Sequence, residues 1–167
     1  RGVGQKEWKE LARGIRKESK FEWDTQRVPD GRYDLRVRAS DGPDRSAREA
    51  LTAEQILPPV VIDNTRPRVE NLKAVRTEEG NYRITGTATD RLSHIAAMEV
   101  SRNAGDWRPV FGQDEMFDSP SEEFLWQSEE LAPGEHVFVF TATDASGNVG
   151  SNKVVVVVEE GEGERAD

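Results

Sequence analysis

The residues best suited to chemistry in this sequence are oxygen donors at strand and linker ends. Asp63 and Asn64 stand just before Pro67, and Asp90 closes Thr87-Ala88-Thr89-Asp90. Asp144 closes Thr141-Ala142-Thr143-Asp144, and Asn148 ends the turn Asp144-Ala145-Ser146-Gly147-Asn148. Calcium takes about six to eight oxygen ligands, drawn from carboxylates, amide carbonyls and backbone carbonyls. Gathered at one place, Asp63, Asn64, Asp90, Asp144 and Asn148 would suit calcium as a cofactor, and Asp30 could join them. The alternative is that these short polar side chains cap strands and tight turns through their own backbone.

Other constellations are weaker. A hydrolase needs a nucleophile, a base and an orienting group within hydrogen-bond reach. Ser93-His94 beside Asp90 has the residue types, but adjacent residues on a strand point to opposite faces. Asp114, Glu115, Asp118, Glu122, Glu123, Glu129 and Glu130 could supply the paired carboxylates of a glycosidase, yet no pair stands out. The expectation is a chain without catalytic activity. The absence of cysteine excludes disulfides, thiolate metal sites and thiol catalysis together. A net charge of −9 argues against nucleic acid, whose phosphates call for clustered Lys and Arg. No apolar run approaches the ~20 residues of a membrane helix, and the longest, Val154 to Val158, has strand length. Trp8, Trp23, Trp107 and Trp126 could stack on carbohydrate, although their placement suits core positions better.

The elements that would position these groups are strands. Tyr33, Leu35, Val37 and Ala39 alternate with Asp34, Arg36, Arg38 and Ser40, and His136, Phe138, Phe140 and Ala142 alternate with less polar partners. Tight turns at Pro29-Asp30-Gly31 and Ala132-Pro133-Gly134 lead into both. Further strands are predicted over Arg68 to Val75, Tyr82 to Thr89, Ile95 to Arg102, Trp107 to Phe111, Glu123 to Gln127 and Lys153 to Val158. Asn103-Ala104-Gly105-Asp106 signals a hairpin, Gln113 to Ser121 a crossing loop, and Ser46 to Gln55 a short helical stretch. The acidic, glycine-bearing tail at 161–167 is expected to be disordered.

The strands recur. Phe21, Trp23, Gly31, Ala39 and Asp41 each have a counterpart 103 positions later in Phe124, Trp126, Gly134, Ala142 and Asp144, and Trp8 matches Trp107 at 99. A period of about 100 residues fits one seven-stranded sandwich. Pro67 disfavours helix just before it and marks a boundary, giving one unit over 1–64 and another over 65–160. The first unit has too little chain before Trp8. About 33 residues are wanting, enough for two strands and the start of a third. Such a half-domain would expose a core face and a strand edge, which another chain's strands could complete. Arg1 is not a natural start, so a longer parent protein is expected.

The run from Trp23 through Val28-Pro29-Asp30-Gly31, Tyr33, Leu35, Val37, Ala39 and Asp41 resembles the sixth-strand region of bacterial immunoglobulin-like and fibronectin type III-like repeats. Val61-Ile62-Asp63-Asn64-Thr65-Arg66-Pro67 resembles the linker between such repeats in large exported bacterial proteins, and Asp144 to Asn148 their closing turn. Tyr33 stands two residues after Gly31 rather than the three usual in fibronectin type III, and His136 replaces it in the second copy. The fold implied is all-β: tandem antiparallel sandwiches, the first lacking its N-terminal strands. In such a sandwich the second and sixth strands both end at the linker's pole, bringing Asp90 and Asp144 toward Asp63 and Asn64. The arrangement resembles calcium-stiffened cadherin junctions, without their fuller acidic pattern. The resemblance implies a spacer or protein-interaction module of extracellular or periplasmic location; the alternative is a carbohydrate- or surface-binding accessory domain.

Overall fold

The computed structural model describes residues 1–15, 20–42, 50–113 and 116–159. The chain folds as two units, Arg1–Asn64 and Thr65–Asp167. The tail at 161–167, and residues 46–49 of the expected helical stretch, lie outside the described residues.

The first unit is built on two broken strands. β1 (Gly31–Tyr33) pairs antiparallel with β4 (Val60–Ile62), and β2 (Arg36–Ser40) pairs antiparallel with β3 (Thr52–Ile56). Leu57 N–H donates to Leu35 O at 2.9 Å, just before Pro58 and Pro59 interrupt the ladder. A proline has no N–H to give, so pairing stops there and resumes at Val60. Residues 52–55, expected as helix, are strand instead. Ala53, Glu54 and Gln55 favour helix intrinsically, but the register with β2, from Arg36 opposite Ile56 to Ser40 opposite Thr52, overrides that preference.

The entry turn to β1 is tied by Tyr33, whose hydroxyl donates to Pro29 O at 2.6 Å. Gly31, at φ 153°, takes a backbone conformation that side chains resist. Trp23 packs edge-on against Tyr33 with ring centroids 6.4 Å apart. Trp8 lies under the guanidinium groups of Arg1 and Arg36, at 4.4 and 4.3 Å.

The second unit is an immunoglobulin-like sandwich of seven strands. These are β5 (Arg68–Arg76), β6 (Tyr82–Thr89), β7 (Ile95–Arg102), β8 (Trp107–Val110), β9 (Ser121–Gln127), β10 (Gly134–Asp144) and β11 (Val149–Val158). One sheet has the order β5-β6-β9 and the other β11-β10-β7-β8, every neighbouring pair antiparallel. Alternation along β10 turns Phe138, Phe140 and Ala142 inward, each 0% exposed, while Val139, Thr141 and Thr143 stay half-buried on the other face. Phe124 from β9 meets Phe140 at 5.1 Å between centroids, and Trp126 meets Phe138 at 5.4 Å. Each such side chain contributes about 1.5–3 kcal/mol by leaving water, so these inward faces hold the sheets together.

Two local devices shape this sandwich. A bulge between Glu70 and Lys73 interrupts β5, with Asn71 at φ 56° and its amide donating to Thr87 Oγ1 at 3.0 Å. Asn103 and Ala104 both have positive φ, and Gly105 N–H donates to Arg102 O at 2.9 Å. That is a type I′ hairpin joining β7 to β8.

Candidate metal centre

The second unit brings two of the expected donors together. Asp90 follows the last residue of β6 and Asp144 is the last residue of β10. Strands of opposite sheets thus end at one pole, and a carboxylate oxygen of Asp90 lies within 4.8 Å of one of Asp144.

Each aspartate is held by its own loop. Asp90 Oδ1 accepts the N–H groups of Leu92 and Ser93 at 2.8 and 3.0 Å and the Ser93 hydroxyl at 3.3 Å. Asp90 N–H donates to Pro120 O at 2.8 Å, tying the loop to the segment entering β9. Asp144 is only 2% exposed. Its Oδ1 accepts Ser146 and Asn148 N–H at 2.8 and 2.9 Å, and its Oδ2 accepts the Asn148 amide at 2.9 Å. Half of each residue's role is therefore the turn-capping one.

The other half remains open at Asp90. Its Oδ2 is buried and has no hydrogen-bond partner among the described residues. A buried carboxylate oxygen without a donor is costly, and a second carboxylate nearby adds like-charge repulsion. A hard divalent cation relieves both at once, because it takes oxygen ligands and carries the opposite charge. The donor set thus fits calcium chemically.

The remaining expected donors fall as follows. Asn148 is half-buried and in the same turn as Asp144. Asp63 is 7% exposed and follows β4 in the first unit. Asn64 serves the first unit's own turn: its N–H donates to Asp30 Oδ1 at 2.8 Å, and its amide donates to Thr25 O, Val28 O and Asp30 Oδ1 at 3.1–3.2 Å. Ser93 shares a bond with Asp90, and His94 beside it is exposed. Of the acidic candidates for glycosidase chemistry, Glu122 is buried and caps the Asp118 and Ser119 amides at 3.0 and 2.7 Å. Glu129 pairs with Arg108 at 2.9 Å, which holds its carboxyl below the usual range. Asp114 and Glu115 lie outside the described residues.

The four tryptophans divide. Trp126 packs on the core, and Trp8 and Trp23 are half-buried. Trp107 is 49% exposed, against the expectation of a core position. It stands on the edge strand β8 opposite Ser101, on the sheet's outer face. Pro109 and, just past the strand, Phe111 at 61% exposure share its parity. The signal was present in the sequence as aromatic residues four apart on a short strand beginning after a hairpin.

An immunoglobulin-like, all-β module with an acidic pole is what these residues build. No known protein-family profile matches the chain. Among curated proteins it is similar to the uncharacterized protein YvnB of Bacillus subtilis (strain 168), with 28% identity over 129 residues. That match takes in 77% of this chain and only 8% of YvnB's length. Among solved structures it is similar to the PKD1 domain of Vibrio anguillarum Epp, at 14% identity and a TM-score of 0.42, over 58% of this chain and 98% of that domain. No helix among the described residues is long and apolar enough to cross a membrane.

Proposed function

We propose that the chain is a non-catalytic spacer or interaction module, made of successive immunoglobulin-like repeats within a larger exported protein, and stiffened by calcium. The observation that carries the repeat is the corner leading into the sixth strand. Tyr33 bonds the carbonyl of Pro29 in the first unit, and His136 Nε2 bonds the carbonyl of Ala132 at 2.7 Å in the second. Both bonds reach back four residues, and both members are offset by the same 103 positions that relate the two sequences. Two different side chains making one contact favour duplication of a single architecture over chance likeness.

Calcium is supported by Asp90 Oδ2, the buried oxygen without a donor, beside Asp144. Asp144 and Asn148 are the other donors in the second unit, and the sequence offers Asp63 and Asn64 in the linker. Extracellular calcium modules work at dissociation constants of about 0.1–1 mM, which suits an extracellular or periplasmic location.

Thermal unfolding in EDTA, in calcium and in magnesium tests this. A ligand at about 100 times its dissociation constant adds about 2.7 kcal/mol, or roughly 10–20 °C for a unit of this size. Calcium should raise the midpoint that far and magnesium much less. Asp90→Asn, which keeps an Oδ1 for the turn, should abolish the difference. Superimposed curves in EDTA and calcium would reduce these residues to turn caps.

A second reading has one observation in its favour. The exposed Trp107, Pro109 and Phe111 offer an apolar stripe on which a sugar face could stack. Quenching of tryptophan fluorescence by soluble polysaccharides, lost in Trp107→Ala, would support a carbohydrate-binding module. Identical titrations of the two proteins would remove it.

A further inference from the structure

One edge of the first unit is half occupied. In the β2–β3 ladder, Leu35 O accepts from Leu57 and Asp41 N–H donates to Leu51 O. Alternation then turns the N–H and C=O groups of Arg36, Arg38 and Ser40 away from β3, to the opposite edge. Further back along that same edge, Asp34 N–H donates to Arg1 O at 2.9 Å and Val3 N–H donates to Arg32 O at 2.9 Å. Gly2 forms an antiparallel bridge with Tyr33. An antiparallel segment therefore already lies along residues 32–34. Among the described residues, β3 is the only strand paired with β2.

The second unit indicates the chemistry of what continues it, on the repeat reading above. The counterparts of Val37 and Ala39 are Phe140 and Ala142, each 0% exposed, whereas Val37 is 56% exposed. On β7, Val100 stands opposite Phe140 and Met98 opposite Ala142, and Glu99 stands opposite Thr141, the counterpart of Arg38. Opposite charges in such cross-strand positions stabilise, and like charges destabilise. An acidic residue thus belongs opposite Arg38. A second copy of β2, laid antiparallel, would instead set arginine near arginine.

We propose that this edge docks one antiparallel β-strand of a partner polypeptide, collinear with Arg1–Val3, apolar opposite Val37 and Ala39 and acidic opposite Arg38. Main-chain bonds from Arg36, Arg38 and Ser40 give the pairing, and the side chains set its register.

The test uses the whole chain and, as probe, a synthetic peptide of residues 93–103, which carries the β7 pattern. Saturating peptide should slow hydrogen exchange at the Arg36, Arg38 and Ser40 amides about tenfold or more. Arg38→Glu should abolish that protection, and a peptide carrying Glu99→Arg should restore it to the Arg38→Glu chain. Unchanged exchange at saturating peptide overturns the proposal, as does protection indifferent to the charge swap. A concentration-dependent dimer that protects the same amides without peptide would assign the edge to a second copy, and also overturns it. Because the readout is confined to β2, failure here leaves the calcium reading of the second unit standing, and the reverse holds too.

Discussion

Ala104 is the residue most at odds with its backbone. At φ 57° in the β7–β8 hairpin, it adopts a left-handed conformation that costs an L-residue about 1–2 kcal/mol and glycine nothing. Part of the gain from glycine is lost to its freer unfolded chain. Ala104→Gly should therefore raise stability by about 0.5–1 kcal/mol, read as a higher denaturation midpoint; a fall would mean that the alanine methyl packs usefully. The turn itself was legible from Asn103-Ala104-Gly105-Asp106, but not which two residues would occupy its centre. The acidic pole divides similarly. Asp90 and Asp144 were visible as closing residues of two Thr-Ala-Thr-Asp strands. Nothing in residue types could tell that Asn64 would spend its amide on Thr25, Val28 and Asp30, because rotamer choice depends on which carbonyls tertiary structure leaves within reach.

At the scale of elements, alternation foretold β2, β6, β7 and β10, whose inner and outer faces differ clearly in polarity. It failed at β3, where Thr52–Ile56 has five exposed residues and no inner face to read. It also failed at β4, which the linker motif concealed. Contact between the sheets has its own tight point. A Cβ at Gly150 would stand 1.8 Å from Pro67 O, a backbone atom that cannot rotate away. Gly150→Ala should push the start of β5 from β11 and cost about 1–3 kcal/mol, measured by denaturant unfolding. Wild-type stability in that variant would mean that the two strands part freely. Its neighbour Asn152, whose amide donates to Val69 O at 2.8 Å, argues that they do not.

For the molecule as a whole, Pro67 and the 103-residue period made two β units legible, because a repeat leaves its mark in spacing even where identity is low. Which faces each unit covers was less accessible, since exposure belongs to the assembly of strands and not to any one of them. Phe21 is half exposed and its counterpart Phe124 is buried, although the two have the same residue type and matching neighbours. One geometric relation in the second unit bears on the spacer reading. Pro67 meets Gly150 and Val69 meets Asn152, so β5 and β11 advance side by side in the same direction. Tension applied through the chain pulls the beginning of β5 one way and the end of β11 the other. The two strands are then loaded in shear along their length, with their contacts strained together instead of being unzipped one after another.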